Sequence, residues 1–242
     1  VSSNEVLNFD ASYQGQDVET VVLKAVKKNQ PTTVEITKSD ITTGTELDGA
    51  SLKVLDKDGN VVDEWTSVKD APHVIKRLVV GETYTLREEF APYGYLKATD
   101  VEFTVEDNGD VQKVEMKDEV PTGLLIINKK GEFLDKVTLL DNAKGTVEHL
   151  FEYITGSLTE VTFHVYAAED IKAADGVSED YFKADELVGT ITTDTNGIAQ
   201  LGDLPVGKYY VKEAETAHGY VMDGGPRYVD LSYRDQDTPV VT

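Results

Sequence analysis

Two stretches of the sequence place a glutamate in phase with the apolar residues of a predicted strand, and this feature constrains the fold most. The stretches are Tyr84–Tyr95, with Glu88, and Tyr209–Tyr220, with Glu213. In both, a tyrosine precedes the glutamate by four positions and a Gly-Tyr pair closes the stretch. Side chains alternate along a strand, so each glutamate shares the face of the apolar residues two and four positions earlier. Because an unpaired charge is costly to bury, the repeated pattern predicts two carboxyl groups with a chemical role inside β-cores.

Composition excludes several classes of function. The chain has 242 residues, which is enough for two domains with cores of their own. Its net charge of −22 argues against binding to nucleic acids or anionic membranes. The sequence contains no cysteine, which excludes disulfides and thiol catalysis. The histidines show no metal-ligand spacing, and no phosphate loop or Ser-His-Asp motif is present, so we expect no metal, no cofactor and no enzyme with turnover.

The beginning of the chain resembles its end. Asp10–Val21 and Asp230–Val241, at an offset of 220 residues, are identical at six of twelve positions. A match at a fixed offset indicates a repeated unit, and two unrelated strands of similar sequence are the alternative interpretation. We therefore expect residues 1–30 to be the tail, the last strands, of a preceding repeat, and the chain to be a piece of a longer protein.

Residues 31–121 show the pattern of a β-sandwich. About seven short runs alternate between apolar and polar residues, and turn signals such as Asp58-Gly59 and Asn108-Gly109 separate them. Pro121-Thr122-Gly123 then marks the joint to a second domain. The sequence predicts an all-β fold for this domain.

Residues 122–242 repeat the pattern and add two long excursions, at 132–160 and 167–188. Ser178–Ala184 in the second excursion is compatible with a short capped helix. We expect a second β-sandwich here, with functional differences concentrated in the excursions, because loops on a rigid scaffold often carry binding.

Three ionisable residues of the first domain lie in phase with buried neighbours: Lys38, Glu88 and Asp118. They fall on the first, a late central and the last predicted strand, and first and last strands can be neighbours in a Greek-key sandwich. Burial disfavours the charged forms of both amines and carboxyls, so Lys38 could attack Asp118 while Glu88 moves protons, giving an isopeptide bond. A buried salt-bridge cluster is the alternative that the residues alone leave open.

The run Val34–Asp40, the segment Thr43–Ala50 and the stretch that follows Glu88 resemble the B-type domains of the collagen-binding adhesin and their SpaA-like pilin relatives. This resemblance covers nearly all of residues 33–118. It implies a transthyretin-like (prealbumin-like, reverse immunoglobulin) sandwich in each of the two tandem domains. It also implies that Lys38 is the isopeptide donor, Asp118 the acceptor and Glu88 the catalytic acid, with water as the leaving group.

The second domain aligns Lys129 with the donor and Glu213 with the catalytic acid. Counting from Glu213 as in the first domain places an acceptor at position 243, and the 220-residue offset carries Asn29 to position 249. We therefore expect the second domain to lack its last strand and its acceptor, and Asn29 to be the acceptor of a preceding repeat. Lys130 and Glu215 are weaker alternatives because their strand phase turns them outward.

The resemblance implies a structural stalk or backbone segment of an adhesin or pilin on the surface or cell wall of a Gram-positive bacterium, stiffened by isopeptide bonds. Its expected partners are neighbouring domains of the same protein, and a sheet edge without its last strand invites head-to-tail strand exchange through residues 1–30. The alternative is a ligand-binding adhesin module that grips a host protein or glycan with the excursions. Exposure of Phe151, Tyr153, Tyr181 and Phe182 would favour binding, and their burial would favour the stalk.

Overall fold

The computed structural model describes residues 30–141 and 147–242, so Asn29 and the tail before it lie outside the described residues. The chain divides into two compact units. Of the described residues, the first unit contains 30–92 and 97–119, and the second contains the rest. All of the regular secondary structure in the described ranges is β-strand, which confirms the predicted all-β class. No helix in these ranges is long and apolar enough to cross a membrane.

The described part of the first unit forms two sheets. Its strands are β1 (Thr33–Asp40), β2 (Ser51–Leu55), β3 (Val61–Thr66), β4 (His73–Lys76), β5 (Thr83–Phe90), β6 (Val101–Thr104) and β7 (Val111–Asp118). One sheet has the order β4-β1-β7 and the other has the order β3-β2-β5-β6. β1 pairs antiparallel with β4 and parallel with β7, so the first and last strands of the unit are neighbours.

The core of the first unit lies between these two sheets. Val34 and Ile36 on β1 and Met116 on β7 are buried, as are Val54 and Leu86 on the facing sheet. Each strand alternates buried and more exposed positions, because successive side chains point to opposite faces of a sheet. This two-layer core is the sandwich that the alternating sequence predicts.

The second unit repeats this arrangement and adds a ribbon. Its strands are β8 (Thr122–Asn128), β9 (Lys130–Asp141), β10 (Val147–Ser157), β11 (Thr162–Ala167), β12 (Leu187–Thr192), β13 (Ile198–Pro205), β14 (Gly207–Glu215), β15 (Arg227–Leu231) and β16 (Val240–Val241). The sheets have the orders β13-β8-β16 and β12-β11-β14-β15, and among the described strands β9 and β10 pair only with each other. β8 therefore takes the place of β1, β14 that of β5 and β16 that of β7.

The first excursion forms the two-stranded β9–β10 ribbon, inserted between the strands that correspond to β1 and β2. Many of its apolar side chains are at least one-third exposed, including Leu134, Leu139, Phe151, Tyr153 and Ile154. The ribbon consequently adds little to the sandwich core, which is built from the other strands of the unit.

The second excursion contains no helix, so the expectation of a short helix at 178–184 is wrong. Asp175 accepts hydrogen bonds from the backbone amides of Val177 and Ser178, and the Ser178 hydroxyl donates to the same carboxylate. An isolated antiparallel bridge between Ile171 and Phe182 closes the segment. The serine therefore completes an aspartate-centred turn instead of capping a helix, a competition that is typical of short polar side chains.

Candidate functional site

In the first unit, the structure brings Lys38, Glu88 and Asp118 together inside the sandwich. The Lys38 amine donates a hydrogen bond to Asp118 Oδ1 and lies 3.0 Å from Glu88 Oε1. The side chains of Glu88 and Asp118 are fully buried, and that of Lys38 is 1% exposed. An amine and two carboxyl groups thus share one water-excluded site.

The strand pairing explains how Lys38 and Asp118 meet. In the parallel β1–β7 pair, Lys38 lies opposite Met116, and Asp118 is two residues further along β7. A step of two residues keeps a side chain on the same face of the sheet, so the long lysine side chain reaches along that face to the aspartate. Glu88 is on β5 of the facing sheet and reaches the pair across the core.

Burial sets the protonation of this cluster. Desolvation raises the pKa of Asp118 to about 7, against the opposing influence of the Lys38 charge, and the carboxyl of Glu88 raises it further. No N–H group of the described residues donates a hydrogen bond to Asp118 Oδ2. A hydrogen bond between two carboxyl groups needs a proton on one of them, so the Glu88–Asp118 contact favours a protonated Asp118.

A backbone amide that the sequence interpretation did not identify holds Glu88 in place. The amide of Ala98 donates to Glu88 Oε2 at 2.7 Å. In the second unit the amide of Asp223 donates to Glu213 Oε2 at 3.2 Å. Each donor lies ten residues after its glutamate, and this common spacing is the signal that the sequence offered for it.

The second unit contains a cluster with one carboxyl group fewer. Lys129 Nζ donates to Glu213 Oε2 at 2.8 Å, and the side chains are 23% and 2% exposed, respectively. Burial raises the pKa of Glu213, but hydrogen bonds from Lys129, Thr216 and the Asp223 amide outweigh it, and the net pKa is lowered. Glu213 is therefore an ionised partner of Lys129. No second carboxyl of the described residues lies within ion-pair distance of this amine, although the Lys129 charge contributes to the lowered pKa of Asp223.

Lys130 and Glu215, the weaker alternatives in the second domain, are both exposed, as their strand phase predicts. Asn29 lies outside the described residues. Within the described ranges, no group of three or more histidine, aspartate or glutamate side chains is placed to hold a metal ion.

The backbone around Lys129 is fixed by two neighbours. Its amide donates to the carbonyl of Gly197 at 2.8 Å, and its carbonyl accepts from the amide of Leu158 at 3.0 Å. Gly197 has a φ of +73°, and a Cβ there would lie 2.7 Å from the Lys129 carbonyl oxygen. Only glycine therefore fits this approach to the end of β8.

The chain belongs to the SpaA family of prealbumin-like fold domains, whose model matches residues 32–120 and 153–242. This finding confirms the family resemblance and the tandem prealbumin-like folds predicted from sequence. The second match begins within β10, yet the structure pairs the earlier strand β8 with β13 and β16 of the matched stretch. The inserted ribbon thus separates the first strand of the second domain from its remaining strands.

The chain is similar to several solved structures, and the first of those described below shows the same fold. The Bacillus anthracis TIE protein is 23% identical over 88% of this chain, with a TM-score of 0.51, and the chain spans 33% of the length of that structure. BcpA, the major pilin subunit of Bacillus cereus, is 13% identical over 88% of this chain and 97% of its own, with a TM-score of 0.35. The shaft pilin SpaA from Lactobacillus rhamnosus GG is 14% identical over 84% of this chain and 94% of its own, with a TM-score of 0.32. No curated protein sequence matches the chain.

Replacing Lys38 by methionine removes the only described positive charge beside Asp118. The folded pKa of Asp118 then stays well above the value of about 3.9 in the unfolded chain, so stability is greatest at low pH and falls as the pH rises above about 4. A shift of about three pKa units corresponds to a loss on the order of 4 kcal/mol between pH 4 and pH 8. Urea denaturation of Lys38→Met at several pH values between 4 and 8 measures this loss of stability.

The matched control is Lys38→Met with Asp118→Asn, which removes the titrating group but keeps Glu88. Between pH 4 and pH 8, the free energy of unfolding of this double variant should change by at least about 2 kcal/mol less than that of Lys38→Met. This difference is roughly half of the effect expected for Asp118. Parallel pH profiles for the two variants would show that Asp118 does not titrate as a buried acid.

Substitution of Gly197 tests the support of Lys129. Gly197→Ala should destabilise the second unit by more than Gly219→Ala, because both glycines have positive φ but an added Cβ has no neighbour within 4 Å at Gly219. The conformational cost common to both is about 1 kcal/mol, and the clash at Gly197 adds to it. Chemical denaturation of the two variants compares them directly, and equal losses would mean that the backbone of Lys129 moves freely.

Proposed function

We propose that the chain is a structural segment of a surface stalk, either of a pilin or of an adhesin, and that a Lys38–Asp118 isopeptide bond stiffens its first domain. The observation that carries this proposal is the enclosure of one amine and two carboxyl groups in a dry core. Membership of the SpaA domain family supports the stalk role and a location on the surface or wall of a Gram-positive cell.

The chemistry follows from the proton count of the cluster. With Lys38 charged, Glu88 ionised and Asp118 protonated, the net charge is zero. Transfer of one proton from Lys38 to Glu88 gives an uncharged amine next to an undissociated acid without creating net charge. The amine then attacks Asp118 Cγ.

Glu88 completes the reaction as a proton shuttle. It donates the proton that it received from Lys38 to the departing hydroxyl group of Asp118, and it then accepts one proton from the attacking nitrogen. The Nζ–Cγ bond forms, the Cγ–O bond breaks, and one water molecule leaves. The reaction occurs once per domain, needs no cofactor, and leaves no free site for turnover.

The bond would act on both force and stability. β1 opens the first unit and β7 closes it, so tension along the chain enters and leaves through two adjacent strands. A bond between Lys38 and Asp118 carries that tension past the rest of the two sheets. It also closes a long loop in the unfolded chain, which by analogy with disulfides stabilises the fold by on the order of 4 kcal/mol.

Intact mass spectrometry tests this proposal. The wild-type chain should weigh one water molecule less than its sequence, whereas Lys38→Ala, Asp118→Ala and Glu88→Ala should each show the full sequence mass. Peptide mapping should recover a branched peptide that joins positions 38 and 118.

Glu89→Ala is the control, because Glu89 is the part-exposed neighbour of Glu88 on β5 and should leave the loss of water unchanged. Full mass in the wild-type chain would reject the isopeptide bond and leave a buried salt-bridge cluster. Loss of the bond in Glu89→Ala would indicate a general folding effect instead of a role for Glu88.

A second function is favoured by the exposure of the β9–β10 ribbon. On the ribbon, Phe151 and Tyr153 are 51% and 61% exposed. In the second excursion, Tyr181 is 45% exposed, whereas Phe182 packs against the core of the second unit. An isolated two-stranded ribbon buries little of its apolar surface, and exposed apolar patches often mark binding sites. We infer that this ribbon is the surface through which the segment would bind a host protein or glycan.

An array of extracellular matrix proteins and glycans tests the ribbon. The double variant Phe151→Ser with Tyr153→Ser should weaken binding to any captured ligand at least about tenfold, a typical loss when two aromatic anchors are truncated. Tyr228→Ser is the matched control, since Tyr228 is 74% exposed on β15, away from the ribbon. Equal binding by both variants would exclude the ribbon as the contact surface.

A further inference from the structure

A short turn holds the backbone of the core lysine in both units. In the first unit, the amide of Leu47 donates a hydrogen bond to the carbonyl of Lys38 at 2.8 Å. In the second unit, the amide of Leu158 donates to the carbonyl of Lys129 at 3.0 Å. Both leucines are buried. The backbone of each lysine is therefore tied to a buried residue that follows it in the chain.

A buried serine anchors this turn in the first unit. The hydroxyl of Ser67 accepts a hydrogen bond from the amide of Ala50 at 2.9 Å. The Ser67 amide donates to the Ala50 carbonyl at 2.8 Å, and the Ser67 carbonyl accepts from the amide of Gly49 at 2.9 Å. Three hydrogen bonds thus join this serine, which is 6% exposed, to the segment 47–50.

Thr193 makes the same contacts in the second unit. Its hydroxyl accepts from the amide of Val161 at 3.0 Å, its amide donates to the Val161 carbonyl at 2.9 Å, and its carbonyl accepts from the amide of Glu160 at 3.0 Å. The hydroxyl also donates to the carbonyl of Leu158 at 2.8 Å, and the amide of Leu158 is the group that holds Lys129. We call segment 47–50 with its serine, and segment 158–161 with its threonine, the anchored turns.

The anchored turn is the same in both units although the surrounding chain differs. The β9–β10 ribbon is inserted before the turn of the second unit, and the excursion at 167–188 is inserted after it. Each turn contains a residue with positive φ, Gly49 at +90° and Glu160 at +59°. A left-handed backbone is unfavourable for a residue with a side chain, so the surrounding contacts hold Glu160 there. What the two turns have in common is the lysine carbonyl that they hold.

The anchored turn also lies beside the lysine side chain of the first unit. Lys38, Leu47 and Ser67 line one small cavity of about 10 Å³. This volume is at the lower limit for a single water molecule, so little water reaches the lysine from this side. Exclusion of water favours the uncharged amine that nucleophilic attack requires.

We propose that Ser67 is a positioning residue for the isopeptide reaction, and that Thr193 is its counterpart in the second unit. The proposal rests on the isopeptide bond proposed above for the first domain. Through the anchored turn, Ser67 fixes the base of the long, flexible Lys38 side chain, so that its amine stays beside Asp118. A displacement of about 1 Å between reacting groups can slow a reaction about 100-fold. Ser67 itself exchanges no proton or bond, and the proton transfers remain with Glu88.

The rate of bond formation tests the role of Ser67. The 242-residue chain is made in a cell-free system, synthesis is stopped, and samples are transferred to denaturant at successive times. Intact mass then gives the fraction that has lost one water molecule. Ser67→Ala should slow this loss at least about tenfold, because the buried amide of Ala50 loses its acceptor and the turn shifts. Ser67→Thr should react at close to the wild-type rate, since threonine supplies the hydroxyl that the second unit uses.

Val105→Ala is the control that separates positioning from a loss of stability. Val105 is buried in the same core, but its amide bonds to the carbonyl of Glu82, before the start of β5 and away from Glu88. It should destabilise the first unit as a cavity-forming change yet leave the rate near that of the wild type. Urea denaturation in a Lys38→Met background, which forms no bond, gives the stability of each variant. Equal slowing by Val105→Ala and Ser67→Ala at equal stability would overturn the positioning role.

Hydrogen exchange measures the same coupling without the reaction. In an Asp118→Ala background, the amide of Leu47 should exchange at least about tenfold faster with alanine at position 67 than with serine or threonine. The amide of Gly81, which bonds to the carbonyl of Val105, should change less. Faster exchange at Leu47 with an unchanged rate of water loss would make Ser67 a purely structural residue and overturn the proposal.

The second unit provides an independent comparison. Thr193→Ala should accelerate exchange of the Leu158 amide, and Thr193→Ser should restore the protection, because serine keeps the hydroxyl that bonds to the Leu158 carbonyl. Equal exchange in all three chains would overturn the assignment of Thr193.

The outcome for Ser67 is distinguishable from the outcome for the isopeptide bond itself. A wild-type chain that keeps its full mass would reject the bond and the positioning role together. Loss of water at the same rate in the wild-type chain and in Ser67→Ala would reject the positioning role alone.

Discussion

The parallel pairing of β1 with β7 is the constraint on which the first unit depends. It places the first and last strands of the unit side by side and puts Lys38 and Asp118 on the same face. Glu88 completes the group from the opposite sheet. Separated in a dry core, each of these groups would cost several kcal/mol, so their mutual contacts are required for the fold to hold them at all.

The two units share one fold but differ in the carboxyl groups that accompany the buried lysine. In the first, three ionisable groups are buried together and the pKa of Asp118 is raised to about 7. In the second, the lone carboxylate of Glu213 has a lowered pKa, because its hydrogen bonds outweigh its desolvation. The same lysine–glutamate pair thus has a second carboxyl group, that of Asp118, beside it in the first unit. In the described part of the second unit, Glu213 is the carboxylate that forms an ion pair with Lys129.

Local periodicity was sufficient to predict the sandwiches, because the alternation of Val34 and Ile36 with polar neighbours reports which face is buried. The family of the chain also followed from short motifs. Two features were beyond local patterns. The turn at Asp175 depends on side-chain hydrogen bonds that compete with helix capping, and the β9–β10 ribbon depends on cross-strand pairs, such as Val137 with Phe151, which become visible only once the strands are paired.

The inserted ribbon also affects how the second unit can assemble. Ile36 pairs with His73 in the first unit, whereas the equivalent antiparallel pairing in the second joins Ile127 to Ala199, so the intervening chain is nearly twice as long. Doubling a loop costs only about 0.6 kcal/mol of closure entropy. The ribbon is a local hairpin that pairs Lys130 with Ser157, so the effective loop between the paired strands is much shorter than the chain between them. The insertion therefore lengthens the chain between the paired strands of the second unit at little entropic cost to closing the sheet.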